Sequence, residues 1–213
     1  FRSLSHTHIL SETPTSSTIK WHDMDIAIPL PGKFNISNAL AALTLAHELG
    51  LSTEQAKQGI ESLSLIRGRV ERVDARQDFS VIVDYAHTDD SLRKLYETFP
   101  TSRKIAVLGS TGGGRDSWKR PVLGKIADEY CDEIIITNED PYDEDPIKII
   151  NEVFSKQIHG EKLIHQLNAV YQYLQTHRKH NFIGAILQQQ QLAATKYMSL
   201  WIEAKTKLGQ KQS

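Results

Sequence analysis

Three short segments carry residue types that can do chemistry. Gly109-Ser110-Thr111-Gly112-Gly113-Gly114-Arg115-Asp116 can close backbone N–H groups on an anion, because glycine tolerates the tight turns this needs. Arg115 adds a guanidinium, which pairs bidentately with carboxylate or phosphate. The segment is neither Gly-x-x-x-x-Gly-Lys-Ser/Thr nor Gly-x-Gly-x-x-Gly, so it is no recognisable nucleotide fingerprint, and a flexible turn is the alternative. Asp84-Tyr85-Ala86-His87 offers a carboxylate that can accept from ribose hydroxyls and an imidazole that can meet phosphate. A turn plus a helix cap accounts for the same residues. After Asn138, Glu139-Asp140-Pro141-Tyr142-Asp143-Glu144-Asp145-Pro146 is acidic enough to hold a cationic amino group, although Asp145-Pro146 is equally a good helix start. The histidines show no metal-ligand spacing, so no residue is assigned to a metal and most read as surface residues.

The elements that position these segments are apolar strands. Phe79–Val83, Lys104–Leu108 and Glu133–Thr137 are compact β-branched runs, each followed by a helical pattern, over 89–98, 119–130 and 144–156. Strand starts recur about every 25–30 residues, the length of a βαβ unit. Strands this apolar are buried on both faces, so the expected class is α/β, with a Rossmann-like, mainly parallel sheet. Ligands in such folds sit beyond the carboxyl ends of the strands, where the three segments lie. Upstream, Thr18–Trp21 and Asp25–Ile28 read as edge strands whose partners are missing. A helix is expected from Asn35 to Leu49, ended by Gly50, and a second from the Ser52/Thr53 cap to about Leu63. A domain boundary falls near residue 68, separating 1–67 from 68–180. Beyond Lys179, Phe182–Leu187 runs into Gln188–Gln191, and 181–213 reads as an atypical Gln-rich tail.

Bulk properties exclude several functions. The chain has 213 residues, a net charge of −1 and 39% hydrophobic residues, an ordinary globular balance with no basic patch for nucleic acid or an anionic membrane. No run approaches the ~18 apolar residues of a membrane span, and no secretory signal opens the chain. The single cysteine, Cys131, excludes an internal disulfide, and a cytoplasmic setting is expected.

Together the segments resemble one family in one order. Gly32-Lys33-Phe34-Asn35-Ile36-Ser37-Asn38-Ala39-Leu40-Ala41-Ala42 resembles the segment closing the central ATPase domain of Mur ligases. Gly68-Arg69-Val70-Glu71-Arg72-Val73 is similar to the start of their C-terminal domain. Asp84-Tyr85-Ala86-His87-Thr88 matches the family pattern, with Asp89 where Pro is typical, and Arg115-Asp116-Ser117-Trp118-Lys119-Arg120-Pro121 resembles the MurE-type signature. The match covers about residues 15–160. It implies a Rossmann-like C-terminal domain preceded by the tail end of the central domain, which the C-terminal domain closes over. ATP would be the cofactor, with Asn35 and Asn38 facing adenine, Arg69 and His87 the phosphates and Asp84 the ribose. Arg115, with Asp140 and Tyr142, would meet the incoming amino acid. The reaction implied is ATP-dependent addition of the third amino acid, diaminopimelate or lysine, to UDP-MurNAc-L-Ala-D-Glu through an acyl phosphate in peptidoglycan synthesis, by a monomer. Alternatives are a MurF or folylpolyglutamate type of ligase, or a non-catalytic Rossmann-like binding domain.

Three departures accompany the resemblance. The family's phosphate loop, Mg²⁺ ligands and carbamylated lysine would lie upstream of residue 1, so the chain is expected to be inactive alone. Tyr142 stands where diaminopimelate-adding members carry arginine, which leaves the added amino acid open. The Gly-Lys-Gly-His-Glu segment expected after the last strand is replaced by the Gln-rich tail, and a change of reading frame near 175–182 is the expected cause. The coding region would show it: a clean single frame, with no family motif in another, rules the change out.

Overall fold

A computed structural model describes residues 7–73, 79–114, 116–137 and 139–154, and the backbone of 162–164 and 185–186. Near the N-terminus β1 (His8–Glu12), β2 (Ser17–Trp21) and β3 (Met24–Ile28) form an antiparallel sheet in that order. The two pieces read as partnerless edge strands thus pair with each other, Ile19 opposite Ile26. Alternation buries Ile19, Trp21, Ile26 and Ile28 on one face. That face packs on α1 (Lys33–Glu48) and α2 (Thr53–Glu61) through Ile36, Leu40, Leu43, Ala56 and Ile60. Gly50 closes α1 at φ 85°, and Ser52 with Gln55 forms a capping box on α2.

The second lobe is a layered α/β unit. Antiparallel β4 (Glu71–Val73) borders β5 (Val81–Val83), and β6 (Ile105–Leu108), β7 (Glu133–Ile136) and β8 (Lys162–Ile164) run parallel in that order. β9 (Ala185–Ile186) pairs parallel with β5 and lies beside β6, joining the two halves. These two residues fall inside the segment read as tail, yet they extend the parallel sheet. The rest of the Gln-rich stretch lies outside the described residues. Among the described residues, three helices flank the sheet: α3 (Asp89–Glu97), α4 (Lys119–Tyr130) and α5 (Pro146–Val153). The core runs through Ile82, Leu92, Ala106, Leu108, Leu123, Ile136 and Ile150, each Leu or Ile worth about 1.5–3 kcal/mol when fully buried. Phe34, from the first turn of α1, packs against this second core. Gly32 permits the approach: a Cβ there would sit 2.8 Å from Thr98 Oγ1. Among the described residues no helix is long and apolar enough to cross a membrane.

Candidate functional site

A cleft of about 440 Å³ opens where the first turn of α1 meets the carboxyl end of β5. Asn35, Asn38, Arg69, Asp84 and His87 all line it. Each arrives on a different local device. Asn35 is buried and donates through Nδ2 to the Pro31 carbonyl at 2.8 Å, while its Oδ1 lies 3.5 Å from Asn38 Nδ2. Asn35 therefore fixes the turn, and the exposed Asn38 presents its carboxamide to the cleft.

Asp84 ends β5 and is 5% exposed. Its Oδ2 accepts from the Val70 amide at 2.7 Å, and the Ala86 amide also donates to the carboxylate. Burial raises its pKa, and these amides together with Arg69 oppose the rise. The Val70 bond matters locally, because Val70 sits at φ 49°, a left-handed conformation costly for a β-branched residue. The neighbouring Gly68, at φ 65°, donates to buried Glu71 Oε2 at 2.8 Å and accepts from the Tyr85 amide at 2.9 Å. The loop is thereby clamped to the strand end. Arg69 lies over the Tyr85 ring, 5.1 Å from its centroid, and the His87 ring is 4.8 Å beyond Tyr85. His87 Nδ1 is 3.0 Å from the Tyr85 carbonyl; donating there leaves Nε2 for another partner. Thr88 and Ser91 form the capping box of α3, whose positive end adjoins His87. A carboxamide, a partly engaged carboxylate and two groups able to carry positive charge thus share one cleft. This set suits a base, a sugar hydroxyl and an anion in turn.

The Gly-rich loop is organised differently from the expected anion cradle. Gly112 N donates to the Asp140 carbonyl at 2.8 Å, and Gly114 N donates to Glu144 Oε1 at 2.7 Å. The anion on the loop is a carboxylate of the protein itself. Glu144 is in turn bound twice by Arg120, Nη1 to Oε2 at 2.9 Å and Nη2 to Oε1 at 3.0 Å. Arg120 is fully buried and also donates to Glu152 and to the Thr111 carbonyl. Arg120 and the Gly114 amide hold the Glu144 carboxyl down to about 2. Glu144 is therefore not free to hold a substrate amino group, and Arg120 is a linchpin that sequence reasoning passed over. Asp145 instead caps α5, its Oδ1 accepting from the Ile147 amide ahead of Pro146. Asp140 is partly exposed, and Tyr142, at φ 51° and mostly exposed, lays its ring over Gly113. Arg115 and Asn138 lie outside the described residues.

Glu139, also passed over, accepts from Thr111 Oγ1 at 2.9 Å beneath this loop. Burial pushes its carboxyl up to about 7, against the Thr111 bond and Lys119, with Asp140 adding to the rise. The folded chain keeps this proton to about pH 7, whereas an unfolded glutamate releases it near 4.5, so stability falls as pH rises through that window. Glu139→Gln removes the penalty and is expected to exceed wild type by on the order of 2 kcal/mol at about pH 8, and to match it near pH 4.5. Urea unfolding at both pH values checks this; a variant with the wild-type pH slope contradicts it.

Comparison with known proteins gives one family. The model of the Mur ligase glutamate ligase domain matches residues 68–183. A UDP-N-acetylmuramyl-tripeptide synthetase of Roseiflexus sp. is 44% identical over 139 residues, 64% of this chain and 27% of the relative. A UDP-N-acetylmuramoyl-L-alanyl-D-glutamate–2,6-diaminopimelate ligase of Solibacter usitatus is 44% identical over 129 residues, 60% of this chain and 26% of the relative. A solved ligase of the same name superposes with a TM-score of 0.60 at 22% identity, over 94% of this chain and 46% of that one. The match therefore spans about a quarter of the length of these curated relatives.

Proposed function

Since the chain belongs to the Mur ligase family through residues 68–183, we propose that it supplies the nucleotide-closing and amino-acid-receiving part of a MurE-type ligase. Such a ligase joins an amino acid to UDP-MurNAc-L-Ala-D-Glu in peptidoglycan synthesis, ATP activating the acceptor carboxylate as an acyl phosphate that the incoming amine attacks. The observation carrying this reading is the convergence of Asn35, Asn38, Arg69, Asp84 and His87 on one cleft. In it Asn38 meets the adenine edge, Asp84 accepts from the ribose, and Arg69 and His87 face the phosphates. Cations placed before the reaction stabilise charge as it develops on the transferring phosphoryl group. By the family resemblance, Mg²⁺ ligation falls to another part of the ligase. By the family resemblance Asp140, Tyr142 and Arg115 would receive the incoming amino acid, and Tyr142 leaves open whether diaminopimelate or lysine is added. A water-soluble UDP-linked substrate fits a cytoplasmic enzyme.

Titrating ATP into the ¹⁵N-labelled chain tests the assignment. Shifts are expected at Asn38 and His87, and Asp84→Asn, which keeps an acceptor for the Val70 amide, is expected to weaken binding about tenfold. Shifts confined elsewhere would sink the reading.

A further inference from the structure

Beside the nucleotide cleft lies a larger cavity of about 750 Å³, and the two share Phe34, Asn38 and Lys94. Its outer wall comes from the β1–β2 turn, at Glu12, Thr13 and Pro14, and from Thr98, Pro100 and Thr101 after α3. The volume is in the range that holds a drug-sized group. Resting on the nucleotide reading above, we propose that this cavity is an accessory subsite for apolar substituents on the exocyclic amine of adenine, so that the site accepts N6-enlarged adenine nucleotides.

The argument is geometric. On the nucleotide reading, Asp84, Arg69 and His87 take the sugar and phosphates and Asn38 the base, all four lining the one cleft. A carboxamide pairs with adenine through N6–H and N7, which sets the exocyclic amine beside Asn38. The space beyond Asn38 adjoins the outer cavity, since Phe34, Asn38 and Lys94 line both. A monosubstituted N6 keeps one N–H for Asn38 and carries its substituent outward, between Phe34 and the Thr98–Thr101 segment. Phe34 and Pro100 offer apolar surface there. Four charged residues line the cavity: Lys94 is engaged with Asp90 at 2.7 Å and Glu97 with the Tyr130 hydroxyl at 2.9 Å, while Glu12 and Lys33 are exposed to solvent. A benzyl group seated there lies against Phe34 and Pro100 while the charged ends of Glu12 and Lys33 keep their access to water.

ATP and N6-benzyl-ATP titrated into the ¹⁵N-labelled full chain decide the matter. N6-benzyl-ATP is expected to bind within about fivefold of ATP and to shift the Thr98 and Thr101 amides, which ATP leaves unmoved. Thr101, exposed and outside the nucleotide cleft, can be enlarged to fill the subsite. Thr101→Trp is expected to weaken N6-benzyl-ATP at least about tenfold while ATP changes by less than about twofold. Retained ATP binding also shows that the variant is folded. Rejection of N6-benzyl-ATP by a chain that binds ATP at Asn38 and His87 overturns this inference alone, as does an equal loss of both ligands in Thr101→Trp. Absence of ATP shifts at Asn38 and His87 overturns the nucleotide assignment and this subsite with it.

Discussion

Arg120→Ala is expected to destabilise the chain by about 3 kcal/mol. The guanidinium is fully buried and serves Glu144, Glu152 and the Thr111 carbonyl at once. Removing it deletes the packing of a long side chain and leaves the two carboxylates with the exposed Lys148, 3.9 Å from Glu152, as their neighbouring cation. Both reach solvent in part, which keeps the cost near the lower end for a broken buried pair. Lysine should not rescue, because a single ammonium cannot reproduce the two-pronged bond to Glu144. Methionine should cost less than alanine, since it fills the space without a charge to satisfy. Urea unfolding of the three variants gives the order Met, then Lys or Ala; alanine within experimental error of wild type would refute the linchpin role. Because Arg120 holds the Glu144 carboxyl at about 2 against an ordinary 4.5, the pair contributes fully above about pH 4.5 and fades as pH falls through 2.

Gly112→Ala should be comparably damaging, about 3 kcal/mol, for a steric reason. A Cβ at this position would lie 2.0 Å from the Pro141 carbonyl oxygen and 2.6 Å from its carbon. Both are backbone atoms, so either the Gly-rich loop or the 140–142 segment must move, and the Gly112 N bond to the Asp140 carbonyl is lost with it. Gly114 is the control. It has open space around its Cβ position but a φ of 70°, so alanine there costs only about 1–2 kcal/mol of backbone strain. Chemical unfolding should rank Gly112→Ala well above Gly114→Ala. The reverse order would mean that the loop does not press on Pro141.

The parts legible from sequence were those written in local pattern. Val81–Val83, Ile105–Leu108 and Glu133–Ile136 are buried on both faces or nearly so, which is why unbroken apolar runs marked them. Gly50 and Asp145-Pro146 announced a helix end and a helix start by their own chemistry. β1 carried no such signal, because all five of its residues are exposed, and its pairing with β2 is a tertiary fact. β8 and β9, of three and two residues, are too short for periodicity to register. At the sites, residue types and the family resemblance named Asn38, Asp84 and His87, but not how they are held. Arg120 stood inside a quoted motif, yet its partners lie 24 and 32 residues away, a separation at which sequence says nothing about pairing. Glu139 was read as one acid among several, since only burial under the loop sets it apart.

The seam formed by Gly32 and Phe34 bears on where this chain can be cut. Residues 68–183 match the family domain, and excising them would look like isolating a complete unit. Yet Phe34 belongs to α1 and packs against the core that those residues build. A piece starting at residue 68 would leave that part of its surface bare and apolar, and would keep Arg69, Asp84 and His87 while discarding both asparagines of the cleft. The border drawn by sequence at residue 68 therefore cuts through this packing contact, and a piece that keeps both the contact and the cleft has to begin ahead of Gly32.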